Sequence, residues 1–233
     1  MSTEKNEDPG TKAHGENSPR DGAAIGIAAQ AGSELVAPGM PGPLSMLTPD
    51  EALRELLAGN ERFAANQLTS VQHDLEVLKE HTADKQEPFA AVLACADSRV
   101  PVELVFDQTI GHIFVTRIAG NMVTPEIIAS LEYGVAVLGV KVLLVLGHTR
   151  CGAVRGAMNT DAVPGQISVL YKHLRPAVEK SGGNLDKAIE LNAEHQAELL
   201  RKSSTVIADA LKGGKLVLRA GVYELSSGNV SLR

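Results

Sequence analysis

The sequence predicts an α/β protein: a mainly parallel sheet of four strands plus an edge strand, flanked by helices, with an N-terminal helical arm. Three observations predict it. From residue 89 onward, short apolar runs alternate with longer stretches of helical period, as βαβ units do. The runs 89–94 and 141–146 are apolar almost throughout rather than alternating, which marks strands covered on both faces. No segment repeats, and 233 residues with 44% hydrophobic content suffice for one sizeable core.

Residues 1–45 are rich in Gly, Pro, Ser, Ala and charge without a sustained period, and read as a disordered extension ahead of a folded region at 46–233. The alternative is an arm that orders against a partner subunit. The folded part opens at Thr48-Pro49-Asp50-Glu51. Thr48 can cap a helix, Pro49 suits its first position, and Glu51 completes a capping box. Leu53, Leu56, Leu57 and Phe63 then share one helical face. A second helix is expected over 74–82.

Strand 89–94 is followed by a short helix at 101–108, strand 112–118, and a helix at 125–138 started by Thr124-Pro125. Strand 141–146 and a helix at 152–158 come next. After Pro164-Gly165, Ile167, Leu170, Leu174 and Val178 fall in register on a helix that breaks at Ser181-Gly182-Gly183. One long helix over about 185–211 carries Ile189, Ala193, Gln196, Leu200, Ile207 and Leu211 along a single stripe, and Gly213-Gly214 end it. A fourth strand covers 216–222. Residues 223–232, turning at Ser227-Gly228-Asn229, supply the edge strand.

Composition narrows the function classes. A net charge of −6 leaves no basic footprint for nucleic acid, and 3% aromatic content without Trp offers few stacking platforms. No run of about 18 apolar residues is present, so no membrane span is expected. The N-terminus lacks a basic region leading into an apolar run, so the cytoplasm is the expected compartment, or the periplasm or an organelle if a targeting segment has been removed.

Only two cysteines occur, Cys95 and Cys151, and each follows a predicted strand. His148 stands three residues before Cys151, and Asp97 two after Cys95. In open α/β sheets, ligands bind at the carboxyl ends of strands. Thiolate and imidazole suit zinc, and Cys95, His148 and Cys151 supply three ligands. With no third cysteine to close a structural site, the fourth position falls to water or to Asp97, which favours an open, catalytic metal. Asp97 is placed to orient that water, and Arg99 to keep Asp97 ionised and off the metal. If the pair broke, Asp97 could swing onto zinc and close the site. Simpler readings stand beside this one: a packed His–Cys pair, a Cys95–Cys151 disulfide, a structural Asp97–Arg99 ion pair. His14, His73, His81, His173 and His195 lie on predicted polar segments and read as solvated, and His112 opens a strand.

Together these residues resemble a known family. Cys95-Ala96-Asp97-Ser98-Arg99-Val100 and Gly147-His148-Thr149-Arg150-Cys151-Gly152-Ala153 are similar to the paired signatures of the β-class carbonic anhydrases. So are Arg117-Ile118-Ala119-Gly120-Asn121, Ser130-Leu131-Glu132-Tyr133 and Gly221-Val222-Tyr223-Glu224-Leu225 with Gly228-Asn229-Val230. The likeness runs from about residue 48 to the end. It implies zinc on Cys95, His148 and Cys151, Asp97 and Arg99 as a catalytic dyad, and reversible hydration of CO2 to bicarbonate by attack of zinc-bound hydroxide.

The resemblance further implies a substrate pocket between subunits lined by Gln86, Phe114, Ala119 and Tyr133, with Ala119 where a Val is common. Val92 stands where an allosteric style of the family carries Trp, so the open, non-allosteric style is expected. Arg150, between His148 and Cys151, departs from the pattern and places a cation near the mouth, where it reads as a solvated side chain rather than one that draws bicarbonate. A homodimer or homotetramer follows, with the helix 48–63 expected to pack across onto the partner. The alternatives are hydrolysis of a CO2-like molecule such as carbon disulfide or carbonyl sulfide, a zinc-stabilised interaction protein without catalysis, and a redox role for the two cysteines.

Overall fold

The structure, a computed structural model, describes residues 44–70, 75–159 and 161–233. The extension read at 1–45 therefore lies outside the described residues except for its last two positions, as do His14 and His73. Eight α-helices and five strands follow a single 3-10 turn at Leu44–Met46 among the described residues.

The strands are β1 (Ala90–Ala94), β2 (Ile113–Arg117), β3 (Val142–His148), β4 (Val217–Tyr223) and β5 (Val230–Leu232). They form one sheet in the order β2-β1-β3-β4-β5. Three pairings are parallel, and β5 closes the edge antiparallel to β4. The predicted sheet class and strand set are thus present. Chain order reverses at β1: β2 lies on one side of it and β3 on the other. That is the switch point where two strand ends diverge and leave a crevice. Ala94 is in register with both Arg117 and Leu146, so the loops after β1 and β2 leave the sheet at one level, two residues short of the end of β3.

β1 and β3 are buried at every position, because helices cover both faces. Alternate residues point opposite ways. Ala90, Val92, Ala94, Val142, Leu144 and Leu146 meet α1 (Pro49–Ala64) and α3 (Val102–Val105) through Leu56, Val102 and Phe106. Ala91, Leu93, Leu143 and Val145 meet α4 (Pro125–Ala136), α7 (Leu185–Ser203) and α8 (Thr205–Lys212). The remaining helices are α2 (Leu75–Thr82), α5 (Gly152–Ala157) and α6 (Ile167–Lys180).

Helix α1 carries the expected capping box: the Glu51 N–H donates to Thr48 Oγ1 at 3.4 Å and Glu51 Oε2 accepts the Thr48 N–H at 2.9 Å. Within the chain, its apolar face lies on its own sheet. Two residues explain this. A Cβ on Gly59 would sit 1.8 Å from the Phe106 carbonyl oxygen, so only glycine lets the helix approach so closely. Asn60, buried, donates to the carbonyls of Val105 (3.0 Å) and Gly228 (2.8 Å) and accepts the Val230 N–H at 2.8 Å. Near the same helix Asp107 adopts φ 46°, ending α3 early, and its fully buried carboxylate accepts from Arg62 Nε (2.6 Å), Thr69 Oγ1 (2.8 Å) and the Ser70 N–H (2.8 Å).

The single long helix expected over 185–211 is two helices. Ser204 is extended (φ −119°, ψ 116°). Its Oγ accepts the Ile207 N–H at 3.1 Å, which starts α8, and donates to Glu132 Oε1 at 2.6 Å. The stripe looked continuous because both helices bury it against the same face. β3 runs two residues further than expected, because Gly147 and His148 pair with Val222 and Tyr223 of β4.

Candidate metal centre

The loop after β1 and the end of β3 meet at the switch-point crevice. Cys95 leaves β1, His148 is the last residue of β3, and Cys151 caps α5. Their ligand atoms lie within 4.8 Å of one another, and all three residues are buried. The two sulfurs are 4.0 Å apart, too far for a disulfide bond, and both cysteines are free. Two zinc–sulfur bonds of about 2.3 Å at a tetrahedral angle span about 3.8 Å, so the pair fits one shared ion.

The third ligand is poised in the same way. His148 Nδ1 faces the Thr149 carbonyl at 3.0 Å, which sets the tautomer with the proton on Nδ1. Nε2 is buried without a hydrogen-bond partner. A buried imidazole nitrogen with a free lone pair, beside two thiols, is what a metal would satisfy.

Each ligand loop is tied down by backbone chemistry. The Gly120 N–H donates to Cys95 Sγ at 3.2 Å. Arg117 forks across the same loop, with Nε on the Cys95 carbonyl (3.0 Å) and Nη2 on the Asp97 carbonyl (2.5 Å). On the other side Thr149 Oγ1 donates to Glu224 Oε1 (3.0 Å) and accepts the Leu225 N–H (3.1 Å), fastening the His148–Cys151 turn to the β4–β5 connection. Arg150 within that turn is exposed and left-handed at φ 57°.

Asp97 stands over the set, its Oδ2 3.8 Å from His148 Nε2. Arg99 grips both carboxylate oxygens: Nε on Oδ1 at 3.0 Å, Nη2 on Oδ2 at 2.8 Å, with the Arg99 N–H on Oδ1 at 2.9 Å. The Arg99 side-chain bonds hold the Asp97 carboxyl well below the usual carboxylate range, against the opposing effect of burial. The hydrogen bond between the thiols draws Cys95 down toward thiolate and pushes Cys151 up.

Residues 90–230 match the family model described as carbonic anhydrase. The chain is 33% identical over 195 residues to carbonic anhydrase 2 of Mycobacterium tuberculosis, covering 79% of this chain and 93% of that protein. The chain belongs to the β-class carbonic anhydrases. A family relative from Mycolicibacterium smegmatis is 35% identical over the same shares. Among solved structures, the β-carbonic anhydrase of Coccomyxa in complex with acetazolamide superposes with a TM-score of 0.63 at 28% identity, over 77% of this chain and 85% of that one. CafA of Aspergillus fumigatus gives 0.63 at 26% identity, over 78% and 90%.

Against the family pattern, the structure brings Cys95, Asp97, Arg99, His148 and Cys151 together. The four pocket residues are not gathered there within one chain. Phe114 pairs with Ala91, four residues before Cys95, about 13 Å away along the strand at about 3.3 Å per residue. Phe114 and Tyr133 face each other with ring centroids 6.3 Å apart, Tyr133 is exposed on α4, and Gln86 is exposed on the approach to β1. Ala119 alone lies on a loop that touches the metal centre, one residue before Gly120. Sequence reasoning placed Arg117, Gly120 and Glu224 in segments similar to the family's and Gln196 on a helical stripe, but gave none of them, nor Asn192, a role at the site. His195, read as solvated, is half-buried, and burial pushes its pKa down.

Proposed function

We propose that this protein is a zinc enzyme that interconverts CO2 and water with bicarbonate and a proton. One observation carries the reading: a buried Cys–His–Cys set with an unsatisfied Nε2, standing beside a carboxylate gripped by arginine. Cys95, His148 and Cys151 would hold the ion, and three protein ligands leave a coordination position open for chemistry. When bound, zinc supplies Lewis acidity that makes water a nucleophile.

The chain's own residues do the rest. Asp97 remains ionised, so it acts only as an acceptor and orients the O–H of the attacking water. Arg99 fixes that carboxylate and keeps it from becoming a fourth ligand. The Asp97–Arg99 bonds in place support the open, non-allosteric style expected from Val92. Gln86, Phe114 and Tyr133 line the substrate pocket from a second subunit, which explains why one chain leaves them away from its own metal centre.

Stopped-flow CO2 hydration by the zinc-loaded protein tests this. Activity is expected, lost on chelation and restored by zinc. Asp97→Asn, which cannot accept as strongly and loses its charge pairing, is expected to lower kcat about 100-fold or more with zinc content unchanged. Full zinc occupancy without CO2 hydration would refute the reading and redirect the search to carbon disulfide or carbonyl sulfide. An unchanged rate in Asp97→Asn would remove the dyad.

A further inference from the structure

Helix α7 lays an otherwise apolar face on the sheet, yet two amides sit within it one turn apart. Asn192 is 1% exposed and Gln196 is 0% exposed. A buried amide left unpaired costs about 1–3 kcal/mol, so the question is what these two hold. Gln196 Oε1 accepts the Val123 N–H at 2.8 Å. Gln196 Nε2 donates to Asn192 Oδ1 at 3.0 Å and to the His173 carbonyl at 3.4 Å. Asn192 Nδ2 donates to the Gly120 carbonyl at 2.9 Å. Neither amide can be turned over: the Val123 N–H only donates and the Gly120 carbonyl only accepts, so the backbone fixes the direction of the chain of bonds.

That chain ends at the metal centre. The amide pair grips the turn at its Gly120 carbonyl and its Val123 N–H, and the N–H of Gly120 points at Cys95 Sγ, 3.2 Å away. Gly120 is left-handed at φ 79°, and a Cβ there would lie 2.9 Å from Leu174 Cδ1, so the turn has one narrow shape. Apolar side chains of similar size would fill the same space, which means packing alone does not require amides here.

We propose that Asn192 and Gln196 are positioning residues: they hold the 120–123 turn so that the Gly120 N–H stays aimed at the Cys95 sulfur, and so set the donor strength of that ligand. The proposal rests on the reading of Cys95, His148 and Cys151 as a metal centre. An N–H bond withdraws charge from a thiolate, and such outer contacts tune metal sites. The relay is 72 residues distant in sequence from the glycine it orients and touches no substrate.

The test uses the full chain loaded with cobalt(II). Two quantities are read, the metal dissociation constant by chelator competition and the sulfur-to-cobalt charge-transfer band. In the double variant Asn192→Leu/Gln196→Met, affinity is expected to fall about 10- to 100-fold. The band is expected to move to longer wavelength, because a sulfur relieved of its N–H gives up an electron more readily. Gln196→Met alone keeps the Asn192–Gly120 bond and is expected to move both quantities less, in the same direction. Variants that fold with a lower melting temperature but an unmoved band and affinity overturn the proposal. If the double variant fails to fold, the single variant decides by the same two readouts. A wild-type protein that shows no sulfur-to-cobalt band overturns the metal-centre reading itself, a failure distinct from that of the relay.

Discussion

Asp107 is a non-glycine residue in the left-handed region with a side chain closed off from water, and its carboxylate survives there because every oxygen is engaged. Burial pushes its pKa up, but the bonds from Arg62, Ser70 and Thr69 outweigh that and hold it at about 2, against an ordinary value of 3.8. A lowered folded-state pKa adds stability above the ordinary carboxylate range, and that stability fades as pH falls through about 2. Asp107→Asn is therefore expected to cost about 1–3 kcal/mol at neutral pH, with the gap to wild type closing on acidification; urea melts at a series of pH values measure it. The metal centre shows which residues the sequence could reveal. Cys95 and Cys151 were legible because the chain has only two cysteines, and Asp97, Arg99 and His148 because each stands within four residues of one of them. Asn192 and Gln196 were not, because an amide's partner 72 or 73 residues away leaves no local trace. A pair of amides at helical spacing inside an apolar stripe was the one available signal, and Gln196 was read as part of the stripe.

Elements were legible where the local chemistry and the tertiary contacts agree. The start of α1 is set by Thr48, Pro49 and Glu51 alone, and it appears where the sequence puts it. The end of β3 is set by the pairing of Gly147 and His148 with Val222 and Tyr223 across the sheet, which no property of Gly147 or His148 announces. The division of α7 from α8 lies between these cases. Ser204 is a good cap, but the periodic stripe masked it, since a helix that restarts on the same face keeps the same period. Ser204→Ala removes both the cap on Ile207 and the bond to Glu132, and is expected to lower stability by about 0.5–2 kcal/mol in thermal or denaturant unfolding. Asn at this position keeps a capping oxygen and is expected to recover part of the loss.

At the scale of the molecule, one chain presents half of its proposed pocket outward. Tyr133 on α4 and Val137 at its C-cap, one turn on, are 47% and 53% exposed beside the half-buried edge strand β2. On the proposed reading of a pocket completed between subunits, a second copy of the chain would cover this face and bring Phe114 and Tyr133 to the partner's metal ligands. Val137→Glu, a residue outside the ligands, the dyad and the pocket, is expected to shift the protein toward monomer in sedimentation equilibrium. Activity is expected to fall in step while zinc content holds. A monomeric variant with full activity would show that the pocket closes within one subunit. The mainly parallel sheet was readable from alternation alone, whereas its strand order and the crevice between β1 and β3 were not, because alternation does not say on which side of β1 each later strand is laid.

Asn60 also fixes when the molecule can finish folding. Its partners Gly228 and Val230 lie 168 and 170 residues further along the chain. Helix α1 leaves the ribosome well before β5, and its buried amide stays unsatisfied until that strand has emerged. Contacts of such long range close slowly, and until they do the chain exposes apolar surface to its surroundings. A nascent chain stalled before β5 would keep α1 unlatched, so synthesis of that strand acts as the signal that this part of the fold may lock.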